Sequence, residues 1–131
     1  MSSIFSKIIS EELPCYKIAE DDSFLAFLDI NPLVEGHVLV IPKQEIDYLF
    51  DIDDSLLKDM VIFSKKVAKR IQKAIPCKRI GLSVIGLEVP HAHIHLVPMQ
   101  SMKDMNFSNA KLALSSSQLE VIQSKINSVS E

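Results

Sequence analysis

The stretch HAHIHLVP, residues 91–98, carries three of the four histidines of this 131-residue chain. If it forms a β-strand, side chains alternate between the two faces, so that His91, His93 and His95 share one face and apolar residues share the other. Residues two apart in a strand are separated by about 6.6 Å, which lets three imidazole rings surround one small anion. Pro90 lacks an N–H donor and suits the first position of such a strand. The pattern predicts a strand with one apolar core face and one imidazole face.

A row of imidazoles favours phosphate chemistry. The ordinary pKa of imidazole, about 6.5, lets the ring act as nucleophile, base, acid or cation near neutral pH. A neutral ring can attack phosphorus, while neighbouring rings hold phosphoryl oxygens or protonate the leaving group. A metal site is the competing interpretation, because histidines at i and i+2 of a strand can both reach zinc and His37 or Asp29 could complete the ligand set. Apart from Glu88, however, no acidic residue lies beside the histidines in the sequence.

Composition excludes several classes of protein. With 47% hydrophobic residues, the chain is long enough to bury a core without disulfides or a structural metal. A formal charge of −3 without a long basic tract argues against binding a nucleic-acid polymer. Cys15 and Cys77 have no CxxC spacing, as is typical of a reducing compartment. Neither a secretory signal nor a membrane-spanning segment is found, and we expect one cytoplasmic domain over residues 1–131 that does not contact membranes.

Hydrophobic periodicity and turn residues predict the other elements. In chain order these are a short helix over 4–9 capped by Ser2 or Ser3, strands over 16–19, 24–30 and 37–41, a long helix over 53–75, strands over 80–85 and 91–97, and a last helix after two overlapping capping boxes that begin at Ser115 and Ser117. This order predicts an α+β fold with a mainly antiparallel sheet of about five strands and the long helix packed on it. The core is expected within 3–98, with a polar loop and a helix in 99–131.

The segment HAHIHLV fits the histidine-triad signature, in which histidines alternate with apolar residues, over its full length. The segment SIFSKIISEELPCYKIAEDDSFLAFLDINPLVEGHVLVIPK, residues 3–43, also resembles the amino-terminal half of that family's nucleotide-binding branch in order and spacing. Over most of residues 3–98 the chain therefore resembles histidine-triad (HIT) proteins of the nucleoside phosphoramidase type. The resemblance implies an enzyme that cleaves small purine nucleoside monophosphate derivatives without a metal or other cofactor. It also implies a homodimer in which two sheets join into one of ten strands.

The resemblance assigns roles to individual residues. His93 would attack the α-phosphorus and form a nucleotidyl-histidine that water then hydrolyses. His91 and His95 would flank it, and His37 matches an additional upstream histidine of the family. Asp29 matches the acidic residue that binds ribose hydroxyls. The apolar base pocket would be formed by Ile4, Phe5, Ile8, Leu13, Phe27, Leu28 and Ile30.

The loop before the triad departs from the phosphoramidase pattern. A Gln and a Ser or Thr that contact the phosphate or leaving group in the family are replaced here by Leu87 and Glu88. Leu87 cannot donate a hydrogen bond, and an ionised Glu88 repels a phosphate. An expected Asn is also missing, and Ser83 is a weak substitute for it. These changes leave open an alternative function, a nucleotide-binding regulatory module with little turnover.

The amino terminus departs from the pattern as well. Some bacterial relatives carry a Cys-x-x-Cys that helps to hold structural zinc, and Ser3 and Ser6 occupy those positions here. Hydroxyl groups are poor replacements for thiolates on zinc, so we expect no structural zinc. A metal-dependent hydrolase that uses His91, His93 and His37 as ligands is a further alternative.

Overall fold

The computed structural model describes residues 3–129, and its strands form one antiparallel sheet. Its strands are β1 Lys17–Glu20, β2 Phe24–Leu28, β3 Val38–Pro42, β4 Arg79–Ser83 and β5 Ile94–Met99. They lie in the order β1-β2-β3-β5-β4, and each neighbouring pair is antiparallel. The helices are α1 Ile4–Ile9, α2 Asp54–Ala74 and α3 Ser116–Asn127, with 3₁₀ turns at Leu49–Asp51 and Met102–Met105. The predicted α+β fold with five strands is confirmed.

The two faces of the sheet bury different sets of side chains. On one face, alternate residues of β2, β3 and β5 pack against α2 and α3 in the larger apolar core. On the other face, a smaller cluster contains Phe5 of α1 together with Leu25, Phe27, Leu39 and Ile41. His95 on β5 is paired with Leu39 on β3, so its side chain points to this second face. The sheet therefore places the histidines on the α1 side, away from the main core.

Helix α2 is amphipathic, and its ends agree with the sequence pattern to within one residue. Asp53 caps the helix, because its carboxylate accepts the N–H of Leu56 at 2.8 Å. Its buried residues recur at helical spacing and face the sheet: Met60, Ser64, Val67 and Ile71. The periodicity thus fixes both the extent of the helix and the face that it buries.

The strand that carries the triad begins later than predicted. β5 starts at Ile94, so His91 and His93 lie in the preceding loop, and the predicted alternation of all three histidines on one strand face is wrong for His91. The pairing of Val40 with Ile94 would bring Pro42 opposite Ala92, but Pro42 has no N–H to extend the ladder. The N–H of Ala92 bonds instead to the carbonyl oxygen of Ile46 at 2.7 Å. The other strand ends lie within two residues of the predicted ones.

The chain after β5 returns to the sheet and contributes to the core. Helix α3 begins at the predicted capping box of Ser115 and Gln118, and it buries Leu119, Ile122 and Ile126. Ser3 caps α1 by accepting the N–H of Ser6 at 3.0 Å, whereas Ser2 lies outside the described residues. Within residues 3–129, no helix has the length and apolar character needed to cross a membrane.

Candidate active site

A cavity of about 660 Å³ opens on the second face of the sheet. His37, His93 and His95 line this cavity, and Leu87 and Glu88 line it as well. The structure also places all the predicted nucleotide-binding residues in that wall, namely Ile4, Phe5, Ile8, Leu13, Phe27, Leu28, Asp29 and Ile30. Two predicted site residues do not line the cavity: His91 is buried behind it, and Ser83 is paired with His95 across β4 and β5.

Hydrogen bonds determine which nitrogen of His37 and His95 carries the proton. The N–H of Leu33 donates to Nδ1 of His37 at 3.1 Å, so the proton of the neutral His37 ring is on Nε2. That Nε2 lies 2.9 Å from Nδ1 of His95, which must accept and therefore leaves the His95 proton on Nε2. Burial lowers the pKa of His37 to about 4 and the pKa of His95 to about 3. Both rings are neutral at pH 7, each with a defined tautomer.

His93 has the opposite tautomer. Its Nδ1 lies 2.8 Å from the carbonyl oxygen of His91, which can only accept, so Nδ1 donates and Nε2 retains the lone pair of the neutral ring. The His93 ring is held by edge contacts with Phe5 and His95, at centroid distances of 5.0 and 4.8 Å. The ring is 7% exposed and lines the cavity. His93 is thus the triad ring whose contacts leave a nucleophilic Nε2.

His91 connects the site to helix α1. Its Nε2 donates to the carbonyl oxygen of Pro42 at 2.8 Å, and its Nδ1 accepts from the hydroxyl of Ser3 at 3.1 Å. The N–H of Ser3 and the hydroxyl of Ser6 both donate to the Glu45 carboxylate, at 2.6 and 2.7 Å. These bonds lower the pKa of Glu45 to about 2. The structure thus joins Ser3 and Ser6 in a hydrogen-bonded cluster that includes His91, the first histidine of the triad. These are the two serines that replace the zinc-binding cysteines of some relatives.

Asp29 adds a carboxylate to the cavity at the end of β2. Its Oδ1 accepts the N–H of Asn31 at 2.9 Å, and its Oδ2 lies 3.7 Å from Nε2 of His37, beyond hydrogen-bond distance. Burial raises the pKa of this carboxyl group, and the hydrogen bond from Asn31 opposes that shift. Asp29 therefore presents an oxygen that a ligand with hydroxyl groups can use.

Asp29, His37 and His95 bring three possible metal-ligand atoms within 4.8 Å of one another, but their protonation does not suit a cation. A metal on Nε2 of His37 would move the ring proton to Nδ1, where it would meet the N–H of Leu33 head-on. Metal-bound histidines normally donate the other ring N–H to an acceptor. This donor set therefore does not fit a divalent cation.

The ligand set that the sequence suggested for a metal-dependent hydrolase also fails. Both ring nitrogens of His91 are hydrogen-bonded to protein atoms, Ser3 on one side and Pro42 on the other. The ring cannot coordinate a cation without breaking one of these bonds. His91 supports the geometry of the site and is not available as a ligand.

Among the cavity-wall residues that the sequence analysis did not name, Phe107 and Lys111 are the two that come from the chain after β5. The Phe107 ring lies against His95 and His37, with centroid distances of 4.7 and 6.2 Å, and Nζ of Lys111 is 5.9 Å from the Phe107 centroid. Both residues follow β5, in a segment with no catalytic motif. The available signal was weak: Phe107 is the only aromatic residue after the triad.

Comparison with known proteins identifies the family of the chain. A HIT domain is matched over residues 10–102. A HIT-like protein of Borreliella burgdorferi is 44% identical over 108 residues, which cover 72% of this chain and 73% of that protein. The adenosine 5'-monophosphoramidase HNT1 of Saccharomyces cerevisiae is 39% identical over 105 residues, which cover 76% of this chain and 64% of the yeast protein.

A crystal structure of a HIT-like protein from Bartonella henselae extends the likeness to three dimensions. It superposes with a TM-score of 0.84 at 30% sequence identity, and the match covers 97% of this chain and 95% of that one. The family match, the sequence relatives and the shared fold lead to one conclusion: the chain belongs to the histidine-triad (HIT) family.

Proposed function

We propose that the protein is a nucleotide hydrolase or transferase that cleaves small purine nucleoside monophosphate derivatives, phosphoramidates or related compounds, through a covalent nucleotidyl-histidine on His93. The observation that carries this proposal is the tautomer of His93, whose Nδ1–H is held by the His91 carbonyl and whose Nε2 keeps its lone pair. The ring lines a cavity that also contains the Asp29 carboxylate. The name of the yeast relative, an adenosine 5'-monophosphoramidase, supports this class of substrate.

The proposed reaction has two displacement steps. In the first step, Nε2 of His93 attacks the α-phosphorus, the N–P bond forms, and the bond to the leaving group breaks. The amine departs with the bonding electrons and takes a proton from solvent. In the second step, water attacks phosphorus and releases a proton to solvent, the N–P bond breaks and His93 recovers its lone pair. Positive charge develops on the His93 ring in the intermediate, and the His91 carbonyl that accepts Nδ1–H stabilises it.

The other cavity residues would bind and orient the substrate. Nε2–H of His95 is directed away from His37 and can donate to a phosphoryl oxygen. Asp29 would accept hydrogen bonds from the ribose hydroxyls, and the apolar wall that includes Phe5 and Phe27 would enclose the base. Holding the phosphorus near His93 makes the attack effectively intramolecular, which lowers the barrier.

Comparison of the wild-type enzyme with His93→Asn tests the proposal. The Asn side chain keeps an N–H donor for the His91 carbonyl but has no nucleophile in place of Nε2. With an adenosine phosphoramidate as substrate, we expect the variant to lose several powers of ten in kcat. Mass spectrometry of acid-quenched wild-type protein should show one added nucleotidyl group that is absent from the variant. Equal rates for the two proteins would contradict the covalent mechanism.

The loop before the triad favours one second candidate, a nucleotide-binding module with little turnover. Leu87 is 88% exposed beside the cavity, and neither its side chain nor an ionised Glu88 can donate to a phosphate. Tight binding of a nucleoside monophosphate, with negligible turnover of phosphoramidates and dinucleotides, would support this function.

Wild-type activity that survives exhaustive chelation would argue against the metal-dependent alternative.

We also propose that two copies pair through β4 into a ten-stranded sheet. The edge at β1 is covered by α3, where Gln123 and Asn127 donate to the carbonyl oxygen of Lys17 at 3.0 and 3.1 Å. The edge at β4 has no such cover from the described residues, and Leu82 on it is 53% exposed. Sedimentation equilibrium would reveal the dimer, and a monomer at micromolar concentration would refute it.

Cytoplasmic location is a proposal supported by two free thiols, Cys15 and Cys77.

A further inference from the structure

The cavity wall carries more acidic than basic residues, and one lysine partly offsets the difference. The carboxylates of Asp29 and Glu88 line it, while His37 and His95 are neutral at pH 7. Within the part of the chain that the structure describes, Lys111 is the only Lys or Arg in the cavity wall. A phosphate ester brings a further negative charge into this wall. Without Lys111, no Lys or Arg among residues 3–129 would line the cavity and face that phosphate.

Lys111 lies on a segment, residues 102–112, that we call the strap. The strap starts from a capped 3₁₀ turn, where the Asp104 carboxylate accepts the N–H of Gln100 at 2.7 Å and the N–H of Ser101 at 3.2 Å. At its other end, the N–H of Leu112 donates to the carbonyl oxygen of Pro32 at 2.8 Å. Pro32 belongs to the loop that begins with Asp29. The strap therefore fixes the position of Lys111 beside the loop that begins with Asp29.

The ammonium group of Lys111 is held in place and keeps one donor free. Nζ donates to the carbonyl oxygens of Phe107 and Asn109, at 2.7 and 3.2 Å. An ammonium group has three N–H donors, so one is left for a ligand. The Phe107 ring in turn packs on His95, with 4.7 Å between the ring centroids. The free donor is thus held near the triad without the need to order a flexible side chain.

We propose that Lys111 binds the phosphate of the nucleotide and makes the site select phosphorylated ligands over neutral nucleosides. This inference rests on the proposed function and names the residue that replaces the polar contacts missing at Leu87 and Glu88. Phe107 acts as a positioning residue, because it holds the strap against His95. The strap, and not the loop before the triad, supplies the charged contact to phosphate.

The charge of Lys111 can be separated from any structural role by comparing two ligands. Dissociation constants of AMP and adenosine are measured by calorimetry for the wild type, Lys111→Gln, Lys111→Arg and Lys103→Gln. Lys103 is an exposed strap residue that does not line the cavity, so it is the matched control. For Lys111→Gln we expect about tenfold weaker AMP binding and less than about twofold change for adenosine, since one charge-assisted hydrogen bond is lost. Lys111→Arg should retain most of the affinity for AMP, and Lys103→Gln should match the wild type.

The possible failures have distinct signatures. If the wild type binds neither ligand, the proposed function and this inference both fail. If the wild type binds AMP and Lys111→Gln binds it equally well, this inference alone fails. If Lys111→Gln weakens AMP and adenosine by the same factor, Lys111 only supports the fold of the strap, and the proposed selectivity for phosphate is overturned.

Discussion

At the scale of single residues, the environment of each imidazole determines its chemistry. The sequence places His91, His93 and His95 together but does not distinguish their states. Their tautomers depend on partners distant in sequence or on backbone orientation, such as the N–H of Leu33 and the carbonyl oxygen of His91. The role of each histidine could be carried over from the family motif. The physical reason for that role required the folded backbone.

Replacing His95 with Asn tests the tautomer of that ring. The amide oxygen of Asn can accept from Nε2–H of His37 as Nδ1 of His95 does, but Asn has no donor in place of Nε2–H. We expect a nearly unchanged free energy of unfolding and a loss of about 10²–10³ in kcat with an adenosine phosphoramidate. The measurements are steady-state kinetics and urea unfolding.

His95→Ala is the matched control for this experiment. It leaves the buried Nε2–H of His37 without a partner, which should cost about 1–3 kcal/mol of stability beyond the effect on rate. If His95→Asn and His95→Ala are destabilised to the same extent, the assigned hydrogen bond between His37 and His95 is wrong.

At the scale of elements, α1 depends on its anchors. A helix of six residues is not stable in water by itself. Phe5 packs on His91 and His93, at centroid distances of 5.9 and 5.0 Å, and the Glu45 carboxylate holds Ser3 and Ser6. Because α1 forms one wall of the cavity, its anchors also set the shape of the base pocket.

Glu45→Ala should loosen that wall without touching the reacting groups. We expect faster amide hydrogen exchange over residues 4–9 and a KM for the phosphoramidate raised about three- to tenfold, with kcat changed less. This is the expected result of losing charge-assisted hydrogen bonds at a partly exposed site. Asp47→Ala, an exposed carboxylate in the same loop, should behave as wild type. An unchanged exchange rate in α1 would show that Glu45 does not anchor the helix.

The elements also show where sequence patterns were sufficient. Helix α2 was predicted to within one residue at each end, because apolar residues recur at helical spacing between a capping Asp53 and Pro76. The predicted start of β5 was wrong, because the observed start depends on Pro42 in a neighbouring strand and on a hydrogen bond from Ala92 to the Ile46 carbonyl. Long-range partners of this kind have no local signal. The same reason explains why the strap and its Lys111 were missed.

At the scale of the whole molecule, stability should fall in mild acid. Burial lowers the pKa of His37 to about 4 and the pKa of His95 to about 3, from the ordinary imidazole pKa of about 6.5. Between these values and 6.5 the unfolded chain binds more protons than the folded one, so the free energy of unfolding decreases as pH falls. The contribution of each neutral ring to the free energy of unfolding is complete above about pH 6.5. At pH 5 this contribution should be smaller by roughly 2 kcal/mol for each ring.

Urea unfolding at pH 7 and pH 5 measures this effect, with His95→Asn as the control that lacks one of the two rings. The variant should show a shallower pH dependence than the wild type. The raised pKa of Asp29 acts in the opposite sense, but only at the lower pH where carboxyl groups titrate. A wild-type free energy of unfolding that is flat between pH 7 and pH 5 would contradict the neutral, buried state of the two histidines.

The cavity wall is assembled from both ends of the chain, with α1 near the amino terminus and the strap near the carboxyl terminus. A ligand held between them would form a non-covalent link between residues about a hundred positions apart, and it would restrict α1 and the strap together. A bound ligand should therefore slow proteolysis both in α1 and in the strap.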